Sequence, residues 1–391
     1  RMAGSPEAVA KFLADLQSKA KPAADREAAA LRTYAANELG LNDLQRWDVA
    51  FATERYKLAE LNFDDAMTKP FFALDRVEQW AFDVAKRWYG LEVKPAPHNP
   101  SYHPDAAAWE VWDSAGKFIA HLTTDWHPRK GKRAGAWMTS YRSAYRDAAG
   151  REVRPVVSLV GNFSKPTADA PALLTFNEVL TLFHEFGHGL HGMLGCGAYA
   201  SLTGTSVRWD FVELPSQIME NICYEPAELT QWAWHYATGE AMPADLVERI
   251  AQSQTFLEGL ATVRQLGFGL LDMAWHDART APTDLEALER AAFAPVDVWP
   301  SVDGSFISPS FSHIFAGGYS AGYYSYKWAE VLDADAYEFF REAPDQAAPR
   351  FRTLLESGGT VDPMDLYVAF RGRQPQPEAL LRRAGLLNPT A

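Results

Sequence analysis

The sequence predicts a mainly α chain interrupted once by a small, mostly antiparallel β-sheet. Three observations carry that expectation. Apolar residues recur at helical spacing up to residue 90 and again from residue 175 onward. Between those stretches, residues 94–105 hold four prolines and two histidines and lead into short strand-like runs. Hydrophobic residues make up 47% of the 391 residues and include 13 Trp, enough for a large core. At roughly 100–200 residues per domain the chain holds two or three core-forming units. The expected divisions are a helical segment 1–93, a sheet segment 94–172 and a helical segment 173–391.

In chain order, Ser5-Pro6-Glu7 opens a first helix, with Ser as cap and Pro in the first turn. A second is expected from Ala23 to Leu39, stopped by Gly40, and a third from Trp47 to Leu61. A fourth, Leu74 to Tyr89, sets Val77, Trp80, Ala81, Val84 and Trp88 at helical spacing before Gly90. Ala108 to Trp112 and Lys117 to Thr124 flank Asp113-Ser114-Ala115-Gly116, a hairpin signal. Gly135 to Ser140 and Pro155 to Phe163 are further strands. After residue 175, helices are expected at 206–224, 243–280, 283–293, 318–341, 348–357, 362–371 and 376–386, with a long loop over 294–318.

The formal charge of −13 argues against a nucleic-acid partner, because an acidic chain repels phosphate backbones. The basic run His127 to Arg133 reads as a solvated loop; the alternative is a patch for an acidic ligand. No run approaches the roughly 18 apolar residues of a membrane span. The N-terminus lacks the order of a signal peptide, and two cysteines fit a reducing cytoplasm.

The chemistry centres on residues 175–194. Thr175 and Glu178 form a capping-box start. Val179, Phe183, Phe186, Leu190 and Met193 fall on one helix face. Thr181, His184, Glu185, His188 and His191 fall on the other. His184-Glu185-Phe186-Gly187-His188 is an H-E-x-x-H pattern. Histidines at i and i+4 can both reach one ion, and the intervening Glu185 can take a proton from water held beside it. Gly187, Gly189 and Gly192 suggest close backbone approach, since each costs about 1 kcal/mol inside a helix; a fraying helix end is the competing reading. Zinc catalysis asks for a third protein ligand. Leu194 stands where one zincin class carries a histidine, so that class fails. A carboxylate on a following helix remains: Glu213, with Asp210 and Glu220 as rivals or as partners to the histidines.

A second constellation covers residues 311–330. Tyr319, Tyr323 and Tyr326 follow i, i+4, i+7 spacing and are expected on one helix face. They read either as core packing or as phenol donors aimed at a developing oxyanion, with His313 adding a donor. Gly317 and Gly318 form either a tight turn or a hinge. His235 and His276 read as structural or exposed, and His103, His121 and His127 as non-ligands.

The H-E-F-G-H-G-L-H core, the D-F-V-E-L-P-S-Q segment and the F-S-H-I-F-A-G-G-Y-x-A-G-Y-Y-x-Y segment together resemble the thimet oligopeptidase family of zinc metallopeptidases. Within it they are most similar to the bacterial oligopeptidase A and dipeptidyl carboxypeptidase branch. The resemblance implies a zincin-like helical catalytic lobe with the small sheet beside the active-site helix. It implies one zinc ion held by His184, His188 and Glu213, with Glu185 as general base. It implies that His313, Tyr319 and Tyr326 bind substrate and the oxyanion, and that short peptides are the substrates. Beside it, the strand led by Gly135, Ala136 and Trp137 is expected to pair with the peptide backbone, and Tyr323 to line the same substrate site. Arg208, Arg264 and Arg279 are possible readers of a peptide C-terminus. Family members carry a long helical region ahead of the matched part. This chain is accordingly expected to be a fragment, or to pair with an N-terminal half supplied as a separate chain. The alternative function is a zinc-containing peptide-binding piece without turnover.

Overall fold

A computed structural model describes residues 1–387. These residues form two compact units interleaved along the chain. One comprises Arg1–Asp64, Gln252–Val331 and the segment from Pro377; the other comprises Asp65–Ala251 and Leu332–Gln376. The units do not follow the three consecutive segments 1–93, 94–172 and 173–391. The N-terminal helices belong with residues 252–331, and the sheet belongs with the H-E-x-x-H helix. The regrouping comes from long-range packing that leaves no local mark in the sequence.

In the first unit, Ser5 caps the opening helix by accepting the Ala8 N–H at 3.2 Å. The helix then runs unbroken from Pro6 to Leu39, where two helices were expected, and it contains Pro22. An interior proline costs about 3 kcal/mol. Here the apolar stripe Val9, Leu13, Leu16, Ala20, Ala24, Leu31 and Ala35 continues through it and is buried, and that burial outweighs the lost bond. Val9 to Ala24 share a core with Val263, Leu266 and Leu271 of the helix Glu258–His276. At Gly259 an added Cβ would lie 2.6 Å from the Ala24 nitrogen, so only glycine permits this approach. The Glu27 carboxylate accepts the Gly259 and Leu260 N–H groups at 3.1 and 2.8 Å. It thereby caps that helix with a negative charge. Leu257, at φ +55°, separates Glu258–His276 from Ala244–Ser253, so the helix expected over 243–280 is broken.

In the second unit, five strands form one sheet: β1 (Leu91–Pro95), β2 (Ala107–Asp113), β3 (Phe118–Asp125), β4 (Trp137–Arg142) and β7 (Val156–Val160). Their order is β1-β2-β3-β7-β4. Tyr145–Arg146 (β5) and Glu152–Val153 (β6) form a separate short ladder. Three of the neighbouring pairs are antiparallel and β3–β7 is parallel. The β2–β3 turn is the expected hairpin. The Asp113 carboxylate accepts the Ala115 and Lys117 N–H groups, and Gly116 takes φ +76°. The helix Leu74–Tyr89 stops at Gly90, which takes φ +65°. It sets Trp80 against Phe183 and Phe82 against Phe186, with ring centroids 4.7 and 5.7 Å apart.

The basic run is largely consumed internally. Arg129 and Lys132 pair with buried Asp125 at 2.7 and 3.0 Å. Burial would raise the Asp125 carboxyl, but these two cations hold it down at about 2. Among the described residues no helix is long and apolar enough to cross a membrane.

Candidate metal centre and tyrosine turn

The helix Phe176–Leu194 is held at both ends. Thr175 Oγ1 accepts the Glu178 N–H at 3.2 Å, and Glu178 Oε2 accepts the Thr175 N–H at 2.8 Å, the reciprocal box expected. At the other end the Arg154 guanidinium donates to the Met193 carbonyl at 3.1 Å, satisfying a terminal acceptor. The three glycines make the approach their spacing suggested. A Cβ at Gly187 would lie 2.1 Å from the Pro215 carbonyl oxygen. At Gly189 it would lie 2.9 Å from Leu159, and at Gly192 2.1 Å from Met138. The polar face is not turned to solvent: Glu185 and His191 are buried.

The helix expected over 206–224 is divided. Trp209–Val212 ends at Glu213, Leu214–Glu220 begins after it, and a 3₁₀ turn covers Asn221–Tyr224. Pro215 lies in the first turn of the second piece, where its missing N–H leaves no bond unmade. Glu213 thus sits at the joint, in the segment whose backbone Gly187 admits. Its Oε2 lies 3.3 Å from His184 Nε2 and 3.2 Å from His188 Nε2. Ser216 Oγ lies 3.0 Å from the same oxygen, a contact that sequence reading missed although Ser216 is only three residues on. Glu220 Oε1 lies 2.7 Å from His184 Nδ1, fixing that ring from its other side. Of the three rival carboxylates, Glu213 meets both imidazoles, Glu220 stands behind one, and Asp210 is buried outside the converging group.

The electrostatics follow from these contacts. Burial would raise the Glu213 carboxyl, but His188 and His184 hold it well below the ordinary carboxylate range. Burial would lower His184, but Glu213 and Glu220 carry it well above the ordinary imidazole value. Glu185 behaves differently. Burial pushes its carboxyl up despite His184 and His188, and its Oε2 has no hydrogen-bond partner among the described residues. His191 is fully buried with neither ring nitrogen paired among the described residues, and burial lowers it to about 3.

Among the described residues, His184, His188 and Glu213 are the group whose ligand atoms converge, all within 4.8 Å of one another. Two imidazoles and one carboxylate form a donor set of catalytic zinc, and the buried, anionic Glu213 aimed at two ring nitrogens fits it.

The tyrosine segment belongs to the other unit. His313 lies in the short helix Ser312–Phe315. Tyr319 and Tyr323 are not on a helix, contrary to the expected face: the helix starts only at Ser325 and contains Tyr326 alone. The preceding turn passes through Ala321 at φ +47°, which helical continuation forbids. The rings nevertheless cluster. Tyr319 stacks on Tyr326 with centroids 5.1 Å apart, Tyr323 lies 5.2 Å from Tyr326, and His313 lies 6.1 and 6.0 Å from Tyr319 and Tyr323. The Tyr323 hydroxyl donates to Gln265 Oε1 at 3.1 Å, and burial lifts its phenol to about 12. Gly318, at φ +89°, makes the tight turn into the segment. Gly135 and Ala136 precede β4, which starts at Trp137 and forms a sheet edge. Of the three arginines, Arg208 is paired with Asp362 at 2.8 Å.

Residues 1–386 match Peptidase family M3. The chain belongs to that family. It is 40% identical over 393 residues to oligopeptidase A of Escherichia coli (strain K12), covering 99% of this chain and 58% of that protein. It is 36% identical over 394 residues to the dipeptidyl carboxypeptidase of Salmonella typhimurium, again covering 99% and 58%. A solved structure of PZ peptidase A with inhibitor 2 is similar in fold, with a TM-score of 0.58 at 15% identity, covering 97% of this chain and 57% of that one. This M3 chain therefore spans 58% of the length of those two relatives, each of which carries the matched part within one longer chain. Nothing in these likenesses favours an N-terminal half supplied separately.

Proposed function

We propose that this chain carries the catalytic centre of a zinc-dependent peptidase that hydrolyses peptide bonds in short oligopeptides. The observation that carries the reading is the convergence of His184 Nε2 and His188 Nε2 on Glu213 Oε2, with the unpaired carboxylate of Glu185 on the same helix. Zinc held by His184, His188 and Glu213 would supply a Lewis acid that polarises the scissile carbonyl and acidifies water. Glu185, raised above an ordinary carboxyl by burial, accepts the proton of the attacking water and passes it to the leaving amine. Glu220 holds the His184 ring in register from Nδ1. Tyr326, Tyr319 and His313 serve the substrate and the oxyanion by donating hydrogen bonds. Their clustering within the F-S-H-I-F-A-G-G-Y-x-A-G-Y-Y-x-Y segment supports that role. Gly135, Ala136 and Trp137 lead into an edge strand with an unpaired side, which suits strand addition by an extended peptide.

The test is cleavage of a quenched fluorogenic oligopeptide with and without a chelator. Chelator-sensitive cleavage supports the reading, and tight peptide binding without cleavage sinks it. Mass spectrometry of the products from one defined peptide then separates release of C-terminal dipeptides from internal cuts.

A further inference from the structure

The tyrosine turn is built around a buried carboxylate that no motif contains. Asp272, on the helix Glu258–His276, is fully buried. Its Oδ1 accepts the Ala321 N–H at 2.9 Å, and its Oδ2 accepts the Gly322 and Tyr323 N–H groups at 2.7 and 2.8 Å. Three successive N–H groups converging on one anion form a nest, a backbone shape that binds negative charge. Ala321 takes φ +47° to make it, a conformation that an L-residue without a polar side chain rarely adopts. His276, one turn along the same helix, donates from Nδ1 to Asp272 Oδ1 at 2.7 Å. The turn is closed by the Gly322 N–H to the Tyr319 carbonyl at 2.9 Å. Tyr319 and Tyr323 therefore flank a backbone whose shape is set by Asp272, and Tyr326 stacks on Tyr319.

We infer that Asp272, oriented by His276, is a positioning residue for the oxyanion-binding tyrosines: it holds the 319–323 turn so that their hydroxyls are fixed before substrate arrives. The inference rests on the peptidase reading above and adds a residue that acts only through others. An anion buried in a nest does what a covalent brace would do, and a displacement of about 1 Å in donors of this kind lowers turnover about 100-fold.

The experiment compares Asp272→Asn with the unsubstituted chain. The substitution keeps the size but removes the charge and turns an amide toward N–H donors. Expected is a kcat about 100-fold lower with KM changed less than about three-fold and zinc content unchanged. In a Tyr319→Phe background the same substitution should lower kcat less than about five-fold further, because the donor that the turn carries is gone. A full 100-fold loss in that background means Asp272 does not act through the tyrosine and overturns the inference. Should Tyr319→Phe itself leave kcat unchanged, the oxyanion role of that tyrosine fails first. Hydrogen exchange reads the hold on the turn without turnover: the 321–323 amides should lose protection in Asp272→Asn while those of the Phe176–Leu194 helix keep it. Unchanged protection also overturns the inference. If Asp272→Asn does not fold, His276→Gln carries the same cycle at smaller amplitude, about five-fold, and strict additivity with Tyr319→Phe is the overturning result.

Discussion

Glu213 and Asp272 are both buried carboxylates at the centre of a candidate site, and they use their charge in opposite ways. Glu213 faces two imidazole side chains and leaves them converging on one point. Asp272 faces three backbone N–H groups and an imidazole, and is saturated by them. The first arrangement is made of side chains and prepares a place for a cation. The second is made of backbone and exhausts itself in shaping a turn. A carboxylate of the first kind is exchangeable chemistry, whereas one of the second kind is architecture.

Four experiments sharpen or break that contrast. The largest effect is expected at Glu185, whose substitution should touch chemistry alone. Glu185→Gln should retain zinc, measured by metal analysis, and lose about 1,000-fold or more in peptide cleavage. Substantial cleavage would remove its role as base. Next is Gly187→Ala, which attacks the metal centre through its packing. The added Cβ meets the Pro215 backbone at 2.1 Å, and overpacking against backbone should cost about 3 kcal/mol in urea unfolding, with zinc affinity falling as Glu213 is pushed away. Wild-type stability would show that the segment yields without harm.

Asp125 is an intermediate case, a carboxylate paired with the cations of Arg129 and Lys132. Its carboxyl is held at about 2, against an ordinary 3.8. The folded value is the lower one, so the pairing stabilises fully above the unfolded value and is lost as pH falls through about 2. Asp125→Asn should therefore be less stable than the parent near neutral pH, and the gap should close between pH 4 and 2. A gap independent of pH would assign the effect to packing. The smallest effect is expected at Ala321, the strained member of the nest. Ala321→Gly removes the left-handed strain and loosens the unfolded chain by a similar amount, so the melting temperature should move by no more than a few degrees, within about 1 kcal/mol. A large loss would show that the Ala321 methyl group, and not the nest, holds the turn.

The same contrast explains what could be read from the sequence. His184, Glu185 and His188 were legible because one helix determines their relative positions, whatever surrounds it. The glycines at 187, 189 and 192 were legible as close approaches, although not what approached them. The carboxylate needed the family resemblance, since spacing alone left Asp210, Glu213 and Glu220 open. The tyrosine face was misread because i, i+4, i+7 spacing assumes a helix, and a turn set by a carboxylate some 50 residues earlier carries no local signal. The helix start expected at Ala23 failed for the same reason: distant packing carries one helix from Pro6 to Leu39. The parallel β3–β7 pair was also hidden, because β4 to β6 lie between its members in sequence yet none of them lies between them in the sheet.

The helix Phe176–Leu194 has one exposed position, Asn177. Its remaining surface is taken up by the groups of the candidate metal centre, by glycines that admit neighbouring backbone and side chains, or by core contacts. Such a helix has almost no room for neutral drift. Random substitution along it is expected to be tolerated at Asn177 and rejected at nearly every other position.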